Sequence, residues 1–125
     1  MSDQIRIGFV GIDEARAADF SRALGGAFHV ARLAGEHAFD AVAGGTIAVC
    51  VVNAADAGSR AVELTKAAKS SGRTEVIVLA DSISRPVAQD AVAAGAFCFL
   101  QYPVDSDVLA KLAVRAAEAA VRPAA

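Results

Sequence analysis

The apolar run "IAVCVVN" (47–53) ends in an amide, Asn53. In a parallel α/β sheet, the carboxyl end of a central strand is where ligands and reacting groups gather. A neutral amide there is no nucleophile, and it is a poor ligand for a hard divalent cation. Three carboxylates lie close to strand ends: Asp13 after "IRIGFVGI", Asp56 just past Asn53, and Asp81 after "TEVIVLA". Asp13 and Asp81 are candidate metal ligands. They are equally candidate helix N-caps, because each precedes or opens a helical pattern. Other chemistries fail on residue type. "RIGFVGIDEAR" is no dinucleotide fingerprint: counted from Gly11, the later positions fall on Asp13 and Arg16, and a carboxylate repels pyrophosphate. Counted from Gly8, the second position is Val10. There is no phosphate loop and no GxSxG. His29 and His37 fall in no predicted strand-end loop, so Ser–His–Asp catalysis has no base. Cys50 and Cys98 sit in apolar runs without a CxxC, which reads as two reduced structural thiols. The residues therefore predict no metal, no cofactor and no enzyme.

The elements that would position these residues alternate in type. "IRIGFVG" (5–11) is a short apolar strand, and "DEARAADFSRALGG" (13–26) is a helix with a glycine stop. "FHVARLA" (28–34) reads as an edge strand and "EHAFDAVAGG" (36–45) as a short helix. "TIAVCVVN" (46–53) is the most apolar strand, hence central. A helix over 57–72 puts Leu64, Ala67, Ala68 and Ser71 on one face, and "TEVIVLAD" (74–81) is a second central strand. The helix over 84–96 tolerates Pro86 only in its first turn. "FCFLQYP" (97–103) is the fifth strand. The last helix, 105–121, carries Leu109, Leu112, Ala113, Ala116 and Ala120 on one stripe and is capped by Asp105 or Ser106. That order is (βα)₅, an α/β chain with a parallel sheet covered on both faces.

Composition narrows the function classes. The chain has 125 residues, 55% hydrophobic and 21% charged, which fits one domain with a real core. Its net charge is −2 with both signs mixed, so nothing favours direct nucleic-acid binding. No apolar run reaches the roughly 18–20 residues of a membrane span, and "MSDQIRIGFV" does not read as a signal peptide. The expectation is a cytoplasmic domain over 1–121, with 122–125 a tail or the start of a linker to an output domain.

The segment "AVAAGAFCFLQYPVD" (91–105) resembles receiver domains of response regulators. There, A-x-x-x-G-A precedes a short strand that ends in Lys-Pro. The resemblance extends to element order and lengths over nearly the whole chain. It implies a doubly wound flavodoxin- or CheY-like sheet of strand order 2-1-3-4-5. It also implies where a phosphorylation site would stand. The acidic pair that holds Mg²⁺ maps onto Gly11 and Ile12, with Asp13 one step beyond. The phosphoryl-accepting aspartate maps onto Asn53, and the hydroxyl residue ending the fourth strand onto Ala80. The lysine of the fifth strand maps onto Tyr102, followed by Pro103, which the family places in a cis turn. Phe99 keeps the aromatic type of the switch position. Each departure removes a charge or a nucleophile that phosphoryl transfer needs. The resemblance therefore implies a pseudo-receiver, used without phosphorylation.

A receiver of this kind acts through its surface. The resemblance points to the face made by the fourth helix, fifth strand and last helix. Candidate contacts there are Arg85, Gln89, Asp90, Ala93, Phe99, Gln101, Tyr102, Lys111 and Arg115. A kinase, an output domain or a second copy in a homodimer are the partners it implies; the charges also suit a merely solvated surface. Tyr102 reads either as a half-buried aromatic whose hydroxyl reaches water or Asn53, or as a plug in the former phosphate pocket. Two other functions stay open. One is a sensor that binds a small ligand, such as a nucleotide second messenger, at the emptied strand ends. The other is a response regulator phosphorylated at an unusual site, with Asp56 as acceptor.

Overall fold

Side chains alternate across a strand, so an unbroken apolar strand must be covered on both faces. The computed structural model describes residues 5–26, 28–34 and 36–121. Among them run β1 (Ile5–Val10), α1 (Glu14–Leu24), β2 (Phe28–Leu33), α2 (Glu36–Ala43), β3 (Val49–Asn53) and α3 (Ala54–Ala57). Then follow α4 (Arg60–Ser71), β4 (Glu75–Ala80), α5 (Arg85–Ala93), β5 (Cys98–Gln101) and α6 (Ser106–Val121). The strands form one sheet in the order β2-β1-β3-β4-β5, every pair parallel. The predicted central and edge strands take those places.

The alternation divides the core in two. Ile7, Phe9, Val49, Val51, Ile77 and Leu79 pack against α1 and α6. Val10, Cys50, Val52, Val76, Val78 and Ala80 pack against α2, α4 and α5. Fully burying one Val, Leu or Ile contributes about 1.5–3 kcal/mol, so β3, buried from Val49 to Val52, anchors both halves. Alanines on the covering helices, Ala61, Ala68, Ala88 and Ala91 on one side and Ala113, Ala116 and Ala117 on the other, let backbones come close. Phe9 and Phe20 meet edge to face, with centroids 6.0 Å apart.

Several boundaries differ from the sequence reading, for local reasons. α3 was not expected. The Asn53 side chain accepts from the Ala55 N–H, and Gly58 at φ 57 closes the turn. That stop delays α4 to Arg60. Its buried face is Ala61, Leu64, Thr65 and Ala68, with Ala67 and Ser71 only half-buried. Thr65 is tolerated there because its hydroxyl donates to the Ala61 carbonyl at 2.8 Å. On α6, Leu109, Ala113 and Ala116 are buried as expected; Ala110 and Ala117 join them, and Leu112 and Ala120 are half-buried. Asp105 caps α6, accepting from the Asp107 and Val108 N–H groups. Pro86 lies in the first turn of α5. The expected tail, 122–125, lies outside the described residues.

Candidate functional site

The carboxyl ends of β1, β3, β4 and β5 bring together Gly11, Ile12, Asp13, Asn53, Ala80, Asp81, Tyr102 and Pro103. Asn53 sits between two backbone groups. Its Nδ2 donates to the Gly11 carbonyl at 3.0 Å, and its Oδ1 accepts from the Ala55 N–H at 3.2 Å. The carbonyl can only accept and the N–H can only donate, so these partners fix the orientation of the amide. Both polar ends of Asn53 are thus engaged in joining β1 to the start of α3. Tyr102 does not reach it: the phenol hydroxyl is buried and finds no hydrogen-bond partner among the described residues. The expected Tyr102–Asn53 contact is therefore not made.

Ile12 and Ala80 are buried and bring no polar side-chain atom to the strand ends. Asp13 is the N-cap of α1, accepting from the Arg16 N–H at 2.8 Å. Its other oxygen lies 3.8 Å from the Arg16 Nε. Asp81 is not a helix cap. Its Oδ1 accepts from the N–H and the hydroxyl of Ser84, at 2.8 and 2.7 Å, and so closes the turn before α5. The Ser84 hydroxyl bond and then the Ser84 N–H bond hold the Asp81 carboxyl below its ordinary range. β3 separates β1 from β4, so Asp13 and Asp81 do not come from neighbouring strands. Among the described residues, no three His, Cys, Asp or Glu side chains gather where they could hold a metal ion.

The fifth-strand position is filled in a way the sequence did not announce. Tyr102 N–H donates to the Ala80 carbonyl at 2.9 Å, which pins the residue beside β4. The Tyr102–Pro103 peptide is cis, as the resemblance implied. The guanidinium carbon of Arg16 lies over the Tyr102 ring, 4.5 Å from its centroid, a cation–π contact from the first turn of α1. Burial pushes the Tyr102 phenol above its ordinary value; the Arg16 charge opposes this, and the Asp13 and Asp81 carboxylates add to it. The one early signal of Arg16 was its place three residues after a capping aspartate, where it rises over the strand ends.

Asp56 is exposed on α3, and its carboxylate lies against Gly11 rather than at the end of β3. On the predicted docking face, Arg85, Gln89, Asp90 and Ala93 of α5, Gln101, and Lys111 and Arg115 of α6 are exposed, while Phe99 and Tyr102 are half-buried. The sequence reading missed the exposed apolar residues of the same two helices, Val92, Val108 and Val114, and Ile83 before α5. Cys50 is buried and Cys98 half-buried, neither in a disulfide.

No protein-family model matches the sequence, and no curated protein does. Solved structures do match the fold. A response regulator from Thermotoga maritima superposes with a TM-score of 0.75 at 19% identity, over 92% of this chain and 98% of that one. A protein described as pilus assembly-related, from Burkholderia pseudomallei, gives 0.72 at 19% identity over 98% and 96%. Full-length FixJ of B. japonicum gives 0.73 at 24% identity, over 90% of this chain and 59% of that one. The strand order and these likenesses establish a CheY-like receiver fold.

Proposed function

We propose that this receiver-fold domain works without phosphorylation, as a protein-interaction or dimerisation module in bacterial signal transduction. One observation carries the reading. The group at the end of β3 is an amide with both polar ends bonded to backbone. Its oxygen is a neutral amide oxygen already bonded to the Ala55 N–H, which forms no acyl phosphate and is a weak ligand for a hard divalent cation. Three features support it. Ile12 and Ala80 give the site no polar side chain. Asp13 and Asp81 are engaged by neighbouring residues. Tyr102 takes the place of a lysine and is covered by Arg16. The likeness to response regulators points to signalling in the cytoplasm. The described helices include none long and apolar enough to cross a membrane.

With the end of β3 held by Asn53 and that of β5 by Tyr102, the α5–β5–α6 face is the surface through which a kinase, an output domain or a second copy would dock. Its mixture of exposed apolar side chains (Val92, Val108, Val114) with Arg85, Lys111 and Arg115 supports that use. The test has two arms. Incubation with acetyl phosphate and Mg²⁺, read by intact-protein mass spectrometry, is expected to leave the mass unchanged; a phosphoryl adduct on Asp56 or any other carboxylate overturns the reading. Charge reversal at Lys111 and Arg115 is expected to weaken self-association or partner capture. If it leaves both untouched, the docking face is elsewhere.

A further inference from the structure

On the flank away from Tyr102, the ends of β1 and β2 and the helices α2, α3 and α4 enclose a cleft of about 650 Å³. Small-molecule sites occupy roughly 300–1,000 Å³ and combine apolar walls with a few placed polar groups. Here Leu33, Ala38, Phe39 and Leu64 give the apolar wall, and Arg32, Asp56 and Arg60 bring the charges. Asp13 also lines the cleft, but it is engaged with Arg16.

The charges are unequal in what they already do. The Arg32 Nε donates to the Ile12 carbonyl at 3.0 Å, which fixes the side chain at the cleft and leaves its two terminal nitrogens without a hydrogen bond or ion pair among the described residues. Arg60 opens α4, and its side chain makes no hydrogen bond or ion pair among the described residues. Asp56 is held against the bare Cα of Gly11: a Cβ built there would lie 2.9 Å from its Oδ2. Two guanidinium groups against one unpaired carboxylate leave the cleft with a surplus of one positive charge. A carboxylate among them repels a polyanion and accepts a hydrogen bond from a neutral donor.

We infer that this cleft binds an organic monoanion with an apolar body. The anionic group is taken by Arg32 and Arg60, and the apolar body lies against Leu33 and Phe39. The site is independent of the docking face, so either reading can fail alone.

The probe is 8-anilinonaphthalene-1-sulfonate, a fluorescent organic monoanion, titrated into the full chain. Its neutral analogue, N-phenyl-1-naphthylamine, is the control. The expected result is saturable one-site binding, with the neutral analogue about tenfold weaker. Arg60→Gln is expected to weaken the sulfonate at least about fivefold, the scale of one lost charge-assisted hydrogen bond. The neutral analogue should be unchanged. Asp56→Asn is expected to tighten the sulfonate about twofold to threefold by removing a like charge. Arg60 is exposed and unbonded, so its variant should melt with the native chain; Arg32→Gln, checked the same way, gives a second reading. The inference is overturned by absent or unsaturable binding, by equal affinity for the two dyes, or by an Arg60→Gln variant that binds as the native chain does. Amide shifts confined to α5, β5 and α6 would overturn it as well.

Discussion

Replacing Asn53 by aspartate changes one atom pair and tests the whole account of the strand ends. The native Nδ2 donates to the Gly11 carbonyl at 3.0 Å, in a partly buried place. A carboxylate cannot donate, so the carbonyl loses its partner and faces an anionic oxygen. A lost hydrogen bond costs about 0.5–1.5 kcal/mol, and a buried acceptor left unpaired about 1–3 kcal/mol. The bond from the Ala55 N–H survives and is strengthened by the charge, which offsets some of this. The net expectation is about 1–2 kcal/mol of destabilisation, or roughly 3–10 °C in Tm for a domain of this size.

The pH dependence gives the sign independently. The aspartate that replaces Asn53 is favoured in its neutral form, whose O–H can donate to Gly11. Its folded pKa is therefore raised above the unfolded one. Stability from that bond is present below the unfolded pKa and lost as pH rises through the folded pKa. The deficit against the native chain should narrow in acid and reach its full size near neutrality. Urea unfolding of both proteins from acid to neutral pH measures this. A variant as stable as the native chain throughout would refute the role given to the amide. So would a stable Mg²⁺-dependent acyl phosphate on the new aspartate, because the acidic pair and the lysine are missing as well.

Further outcomes are expected at the other residues of the strand ends and in the core. Tyr102→Phe removes a buried, unpartnered hydroxyl and should leave stability unchanged or raised by up to about 1 kcal/mol, whereas Arg16→Gln should lose about 0.5–1 kcal/mol of cation–π contact. Tyr102 is the one tyrosine and there is no tryptophan, so alkaline absorbance titration reads its phenol alone. Burial holds that phenol above its ordinary value, and stability falls as pH rises past the unfolded value; Arg16→Gln should move the titration higher still. Ser84→Ala should return the Asp81 carboxyl toward its ordinary value, seen by NMR titration. In the native chain, the stability linked to Asp81 is lost as pH falls through its depressed folded pKa; this acid-side loss should shrink in the variant. Burial pushes the Cys50 thiol up to about 12, so a thiol reagent should label Cys50 only on unfolding and Cys98 slowly. Two fast-reacting thiols in the native state would contradict the packing.

What the sequence made legible follows from how each signal is carried. β3 and β4 were readable because burial on both faces demands unbroken apolar residues, and "VCVV" and "VIVLA" have them. α3 was not, because "AADA" has no pattern of its own; the cap at Asn53 and the stop at Gly58 create it. Asp81 read as a helix cap because sequence places it near α5 but does not show that Ser84 takes its carboxylate first. Arg16 on Tyr102 joins α1 to the turn just after β5, so no local spacing could reveal it. The cleft beside β2 has the same cause: Arg32 and Arg60 converge only once β1 lies between β2 and β3.

On the proposed loss of a phosphorylation site, Gly11 carries that loss into the backbone. Its φ is +71, a conformation that costs a residue with a Cβ about 1–2 kcal/mol. A Cβ there would also come within 3.0 Å of the Asp56 Cβ, so an aspartate at this place strains the chain and crowds a like charge. Gly11→Asp should therefore destabilise by about 1–3 kcal/mol. The backbone shift that relieves it moves the carbonyl to which Asn53 donates. Combined with Asn53→Ala, which removes the donor without adding a charge, part of the cost is then already spent, and the double variant should lose less than the two single losses added. A urea double-mutant cycle measures the difference, expected at about 0.5 kcal/mol or more. Strict additivity would mean that Gly11 and Asn53 act separately, and that the acidic pair could be rebuilt one side chain at a time.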